Sequence, residues 1–149
     1  MDPVMTPRTF AFRLRSSHAA ADRSTASLVV EWLDDAGAWI PQVPSLTTPG
    51  FRLYLLSLLL CQHTSLVVNA RQRDLHLQRV EGWLEVVSLE WRLQQVRGQF
   101  SLTLDPAAAD RTDAETLAFI AERMKLCPVS RNLDASVDKS ISLQLDRDA

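Results

Sequence analysis

The sequence of 149 residues has few residues of several types, and each shortage excludes a class of protein. Four glycines and seven prolines are too few for a collagen-like or low-complexity chain. Two cysteines, Cys61 and Cys127, cannot build the disulfide framework of a small secreted domain. With 16 Lys and Arg against 18 Asp and Glu, the net charge is −2, and the basic surface typical of nucleic-acid binding is missing. We therefore expect no nucleic-acid partner.

Long apolar segments are also lacking. The one strongly apolar run, residues 53–60, falls well short of the roughly 20 apolar residues that span a bilayer. Residues 1–15 contain no apolar core of a secretory signal. These observations favour one cytoplasmic domain over residues 1–149, with reduced thiols and no membrane partner.

What is present in the first half is a strand pattern followed by a helix pattern. Residues 10–15 have the period of two typical of a strand, residues 27–33 are rich in β-forming side chains, and residues 39–43 are a shorter, Pro-interrupted edge-type run. Together they predict three strands. Residues 51–69 contain no Gly or Pro and are apolar on almost every side in their first half, which predicts a long buried helix.

The second half also begins with strand patterns and continues with a helix pattern, and it ends with a further strand. Alternation returns in residues 83–91 and 99–105, with residues 92–98 as a hairpin connection or a bulged strand. Residues 112–115 (TDAE) fit a capping box and begin an amphipathic helix, and residues 137–145 alternate again. The order β-β-β-α-β-β-α-β predicts an α+β fold.

Both cysteines lie at a helix boundary or at a change in helix character. Cys61 follows the apolar run, and Cys127 precedes Pro128, which can begin a short new helical turn. Free N–H groups of such a turn favour a thiolate and lower the pKa of a nearby cysteine. The alternative is two inert core thiols, because free cysteine is among the most buried residue types.

Two segments then resemble one known family. Residues 126–133 (LCPVSRNL), between an amphipathic helix and the last strand, resemble the Cys-Pro-x-Ser motif of the OsmC/Ohr family of osmotically inducible and organic hydroperoxide resistance proteins. Residues 49–61, a Pro-led turn and an apolar helix that carries Cys61, resemble its other hallmark, and the separation of 66 residues (127 − 61) agrees. The resemblance extends from about Arg23 onward. It implies an OsmC-like fold with a long buried central helix, and an intertwined homodimer with active sites at the subunit interface.

The activity that this resemblance implies is that of a thiol peroxidase without metal or organic cofactor. Cys61 attacks the peroxide and becomes a sulfenic acid, Cys127 resolves it to a disulfide, and a dithiol reductant restores both thiols. An apolar wall of Phe51, Leu56 and Leu60 favours an organic hydroperoxide, either alkyl or fatty-acid, as the substrate.

The chain departs from the family at the carboxylate that helps to activate the first cysteine. The family has a Glu ten residues before that cysteine, whereas this chain has Phe51 there, preceded by Gly50. No Asp or Glu occurs between Asp35 and Asp74, so a substitute has to come from the strands, as Glu31 or Asp35. The same fold could therefore hold an apolar ligand without turnover, or the thiols could be structural in a dimer that scaffolds another function.

The activating arginine is also less defined. Arg23 fits the family's N-terminal arginine best and Arg15 second, although either could be a solvated charge at a strand end. Without a cationic partner, the pKa of Cys61 in an apolar helix rises. His63 lies two residues after Cys61 and points to a different side of the helix, so we predict a polar surface histidine there.

Overall fold

The computed structural model describes residues 6–146. In chain order its elements are β1 (Arg8–His18), β2 (Thr25–Leu33), β3 (Trp39–Pro41), α1 (Gly50–Gln72), β4 (Leu77–Leu89), β5 (Arg92–Leu104), α2 (Pro106–Arg111), α3 (Ala114–Met124), a short 3₁₀ helix (Ser130–Asn132) and β6 (Asp138–Leu145). The predicted α+β order is confirmed, and α2 is an additional short helix.

All the strands form one sheet, in the order β3-β2-β1-β4-β5-β6. Neighbouring strands are antiparallel except β5 and β6, which run parallel and are joined through α2 and α3. A parallel pair requires such a crossover, because its second strand has to begin at the same end of the sheet as the first.

The core lies between one face of this sheet and the helices. Phe12 and Leu14 of β1 are buried, while Arg13 and Arg15 between and after them point to the opposite face. Leu55, Leu58 and Leu59 of α1, with Ile120 and Met124 of α3, join the same cluster. The sheet therefore holds α1 and α3 side by side over a single apolar face.

Helix α1 is longer than its apolar run alone indicates. Its 23 residues are long and apolar enough to cross a bilayer by length and composition, a test that the core helices of soluble proteins also pass. The polar side chains of Gln62, His63 and Asn69 are buried inside the fold.

One stripe of α1 stays open to solvent: Tyr54, Thr64 and Val68 are exposed, and Ser57 and Cys61 between them are half-buried. These five residues are called the open stripe below.

Of the two alternatives for residues 92–98, the bulged strand is confirmed and the hairpin connection is wrong, because β5 already begins at Arg92 and Gln94 is left unpaired where the β4–β5 register shifts. The hairpin turn is Glu90–Trp91, both with left-handed φ (52° and 66°), and a register shift in the β4–β5 pairing lies between Val87 and Ser88. Gly98 is not a turn residue. It lies within β5, and a Cβ atom there would lie 2.5 Å from the Gln62 Oε1 atom of α1.

Two further boundaries differ from the predictions. The N-cap of α3 is Asp113, whose side chain accepts from the Thr116 N–H, and not Thr112, whose hydroxyl donates to the Ala108 carbonyl. The hydroxyl of Thr112 serves the end of α2, which the sequence pattern did not reveal. Strand β3 ends at Pro41 rather than at residue 43, although the Gln42 N–H still donates to the Val30 carbonyl of β2 at 2.8 Å.

Candidate functional site

The two thiols lie together where α1 passes the turn that follows α3. The Val129 N–H donates to the Cys61 sulfur at 3.5 Å, and the Cys127 thiol donates to the Ser130 hydroxyl at 3.2 Å. The thiols of Cys61 and Cys127 are close enough to raise the pKa of Cys61 through their interaction. Cys127 is buried, and Cys61 is half-buried within the open stripe.

The turn is built by its own sequence. Helix α3 ends at Met124, the Cys127 N–H donates to the Met124 carbonyl, and the Arg131 N–H donates to the Cys127 carbonyl. The 3₁₀ helix Ser130–Asn132 is the short helical turn predicted after Pro128. Its neighbouring N–H groups approach Cys61, however, whereas the pattern pointed them at Cys127.

Burial raises the pKa of the Cys61 thiol to about 11, and the interaction with Cys127 adds to this rise. The N–H groups of Val129 and Ser130 act in the opposite direction but do not offset burial. Within residues 6–146, no hydrogen bond or ion pair joins an arginine or lysine to either sulfur. A single chain therefore keeps Cys61 protonated at neutral pH.

The two candidate arginines lie elsewhere in the same chain. Arg23 is in the β1–β2 connection and pairs with Asp74 at 2.7 Å, beyond the end of α1. Its backbone carbonyl accepts from Arg71, which is ten residues or about 15 Å along the helix from Cys61. Arg15 is exposed on the sheet face that points away from α1. A role for Arg23 at Cys61 stays a prediction, and it requires a second copy of the chain.

The candidate substitute carboxylates are also remote from the thiols. Glu31 lies on the outer sheet face, where Arg13 donates to it at 2.7 Å and holds the pKa of its carboxyl below the usual range. Asp35 lies in the exposed turn between β2 and β3.

The three apolar residues of the predicted substrate wall are dispersed. Phe51 packs against Phe10 and Trp91 at the start of α1, with ring centroids 5.4 and 5.2 Å apart. Leu56 is buried in the core with 3% exposure, and Leu60 is partly buried next to Cys61.

A groove beside Tyr54, which the sequence analysis missed, is a second candidate for holding a ligand. It has a volume of about 380 Å³ and is lined partly by apolar side chains, namely those of Tyr54, Leu93, Leu133 and Val137. Tyr54 precedes Cys61 by seven residues on the open stripe, and Leu133 directly follows the 3₁₀ helix. The seven-residue spacing was the available signal, because it places two side chains on one helix face.

The prediction of a surface histidine at position 63 is wrong. His63 has 4% exposure, and its Nε2 lies 2.9 Å from the Ser16 hydroxyl, which is also 2.9 Å from the Nε2 of His18. Burial lowers the pKa of His63 to about 4, and the positive charge of His18 adds to this effect. The period-two pattern of β1 places Ser16 and His18 on the face of Phe12 and Leu14, and this was the signal for a buried polar group.

No protein-family model and no curated protein sequence matches the chain. Solved structures do match. An OsmC-like protein from Mycoplasma pneumoniae is 12% identical, with a TM-score of 0.53 over 97% of this chain and 99% of that chain. An OsmC-like hydroperoxide resistance protein from Jannaschia sp. CCS1 is also 12% identical, with a TM-score of 0.53 over 83% of this chain and 85% of that chain. The OsmC-like fold implied by the sequence resemblance is confirmed.

Proposed function

We propose that this protein reduces organic hydroperoxides through Cys61 and Cys127. The observation that carries the proposal is that the chain's two cysteines, 66 residues apart in sequence (127 − 61), interact with each other in the fold. Both sulfurs are held by the same turn, since the Val129 N–H donates to the Cys61 sulfur and the Cys127 thiol donates to the Ser130 hydroxyl. Similarity to a structure described as a hydroperoxide resistance protein supports the same chemistry. Two adjacent thiols are the requirement for a peroxidase that protects its sulfenic acid from further oxidation.

The reaction has three balanced steps. The Cys61 thiolate attacks the terminal peroxide oxygen, the O–O bond breaks, and the products are a Cys61 sulfenic acid and an alkoxide that takes up a proton. The Cys127 thiol then attacks the sulfenic sulfur, forming the disulfide and releasing water. A dithiol reductant exchanges with the disulfide, returns two electrons and two protons to the cysteines, and leaves as its own disulfide.

The groove beside Tyr54 is the proposed site for the organic part of the substrate. Its apolar side chains, Tyr54, Leu93, Leu133 and Val137, are proposed to contact the alkyl group among polar neighbours that include Arg92 and Asp134. Its volume of about 380 Å³ is at the lower end for a small-molecule site. Leu60 directly precedes Cys61 in the sequence and does not line this groove. Phe51 and Leu56 are proposed to shape the helix that carries Cys61 rather than to contact the substrate.

Activation of Cys61 is proposed to require a second copy of the chain packed on the open stripe. The stripe includes Cys61 and the exposed apolar residues Tyr54 and Val68, 37% and 45% exposed. Arg23 is the proposed cation because its partner Asp74 has a side chain with 72% exposure. An exposed ion pair contributes little to stability, so this guanidinium can exchange Asp74 for a thiolate of the other copy.

The test is consumption of cumene hydroperoxide with dithiothreitol as the dithiol. We expect turnover by the wild-type protein, none by Cys61→Ser, and slower turnover by Cys127→Ser, because dithiothreitol then has to reduce the Cys61 sulfenic acid directly. Each variant is the control for the other, because each leaves the second thiol in place. Turnover by Cys61→Ser equal to wild type would refute the assignment.

The second candidate function is binding of an apolar ligand without turnover. The observation that favours it is the raised pKa of Cys61, since a protonated thiol is a poor nucleophile. Cumyl alcohol, which has the shape of the peroxide but no O–O bond, distinguishes a binding module from a peroxidase. A non-catalytic module would be stabilised by the alcohol while keeping both thiols during excess cumene hydroperoxide.

A further inference from the structure

The hydroxyl of Ser130 has a role in the reaction that its sequence position alone does not reveal. The Cys127 thiol donates to the Ser130 hydroxyl at 3.2 Å, and the two residues have 3% and 2% exposure. Bulk water therefore has little access to the Cys127 proton. Among the described residues, the hydrogen bonds of the two thiols are to the hydroxyl of Ser130 and from backbone N–H groups. No carboxylate, imidazole or amine donates to or accepts from them there.

This arrangement leaves a proton to be accounted for. When Cys127 attacks the sulfenic acid of Cys61, the Cys127 thiol has to lose its proton and the departing hydroxide has to gain one. A buried thiol without a base reacts slowly, because only the thiolate is a competent nucleophile. The Ser130 hydroxyl both accepts and donates hydrogen bonds, so it can take up one proton while giving up another.

We propose that Ser130 is the proton relay of the resolving step, an inference that rests on the proposed peroxidase function. The hydroxyl accepts the proton of the Cys127 thiol and donates its own proton to the hydroxide that leaves Cys61. The S–S bond forms and the S–O bond breaks. The thiol sulfur is oxidised by as much as the sulfenic sulfur is reduced, and the proton ends in the water released. Ser130 is returned unchanged.

The position of the Ser130 hydroxyl restricts its role to the resolving step, in which Cys127 attacks the Cys61 sulfenic acid. Its hydroxyl contacts Cys127 and not Cys61, whereas its backbone N–H and that of Val129 approach Cys61. Removing the hydroxyl therefore leaves those two N–H groups in place. Formation of the sulfenic acid should be unaffected, and only its conversion to the disulfide should slow.

The experiment compares Ser130→Ala with Ser130→Thr, using cumene hydroperoxide and no reductant. Sulfenic acid is trapped with dimedone, and disulfide formation is followed by mass spectrometry of quenched samples. For Ser130→Ala we expect an unchanged rate of sulfenic acid formation and roughly a hundredfold slower disulfide formation near neutral pH, the usual size of an acid–base contribution. The longer-lived sulfenic acid should also be oxidised more readily to sulfinic acid. Ser130→Thr, which keeps the hydroxyl, should restore the rate.

A pH profile separates the relay from a structural role. Disulfide formation in Ser130→Ala should speed up with rising pH, as hydroxide removes the Cys127 proton, and should approach the wild-type rate in alkali. The matched control is Ser88→Ala, since Ser88 is buried with 1% exposure and lies in β4, away from the thiols. It should resolve at the wild-type rate.

Each outcome decides between the two proposals. If the wild-type protein forms no sulfenic acid, the peroxidase function itself is wrong. If wild type forms the disulfide and Ser130→Ala does so at the same rate, the relay alone is wrong. A pH-independent defect in Ser130→Ala, a defect shared by Ser88→Ala, or loss of sulfenic acid formation in Ser130→Ala also overturns the relay.

Discussion

Single residues in this molecule acquire their chemistry from burial. Cys61 and His63 are two positions apart on α1, and burial favours the neutral form of each side chain. For the thiol this means a raised pKa, and for the imidazole a lowered one. The pKa of His18, stacked on His63 with ring centroids 5.9 Å apart, is lowered by the same cause. Protonation of this histidine pair therefore works against the fold.

Acid should destabilise the protein through His63. Its pKa of about 4 in the fold lies below the 6.5 of an unfolded histidine, so the unfolded chain binds the proton first as the pH falls. The free energy of unfolding should be unaffected above pH 6.5 and should decrease by about 3 kcal/mol on going down to pH 4. Urea unfolding of His63→Gln between pH 7 and 4.5 should show a much smaller decrease than wild type. An equal decrease in both proteins would contradict this account of the pair.

The proposed role of Arg23 is tested by comparing its substitution with that of Asp74, its ion-pair partner. If its guanidinium serves Cys61 of a second copy, Arg23→Ala should slow cumene hydroperoxide consumption by at least tenfold, because each unit of thiol pKa changes the thiolate population tenfold. Asp74→Ala removes the same ion pair and should leave that rate unchanged. Similar small losses of stability, with unchanged rates in both variants, would assign Arg23 to the ion pair alone.

At the scale of elements, the patterns of alternation and of helix length determined most of the topology. The sequence predicts β1, β6 and α3, because each has a period that a single face explains. It predicts β2 from its β-forming residues, and α1 from its length without Gly or Pro and its apolar residues on almost every side. The β4–β5 turn was misplaced because Glu90 and Trp91 adopt left-handed φ values that favour Gly or Asn. Sequence patterns also could not show how closely α1 approaches β5, since that depends on packing across distant segments.

Gly98 is the point of that close approach. In Gly98→Ala the new Cβ would lie 2.5 Å from the buried Gln62 Oε1, and we expect a loss of about 1–3 kcal/mol in the free energy of unfolding. The control is Gly50→Ala at the start of α1, where a Cβ meets nothing within 4 Å; there we expect a change of less than about 1 kcal/mol, favourable in sign. Denaturant unfolding gives both values, and a neutral Gly98→Ala would show that α1 shifts freely over the sheet.

At the scale of the whole molecule, the sequence predicted the two cysteines of the candidate site but not the groups that surround them. The sequence resemblance paired Cys61 with Cys127, and the fold brings them together. The Val129 N–H contact, the Ser130 hydroxyl and the groove beside Tyr54 depend on how the turn after α3 docks on α1. That docking joins residues more than 60 positions apart, so no local pattern encodes it.

Assembly should determine the reactivity of Cys61. Val68→Asp places a charge on the open stripe and should give a monomer by light scattering. Alkylation of Cys61 with iodoacetamide in that monomer should follow a pKa near 11. In the proposed dimer of the wild-type protein, the pKa of Cys61 should be lower. The matched control is Val29→Asp, since Val29 is 47% exposed on β2 against 45% for Val68. A monomeric wild type, or a dimer that keeps the high pKa, would contradict the proposed activation.

The most direct test of the central claim is the intact mass of the reduced protein after one equivalent of cumene hydroperoxide, followed by peptide mapping. The account predicts a mass about 2 Da lower, both thiols lost, and a single disulfide that joins the peptides of Cys61 and Cys127. An unchanged mass with both thiols intact at excess peroxide would contradict it.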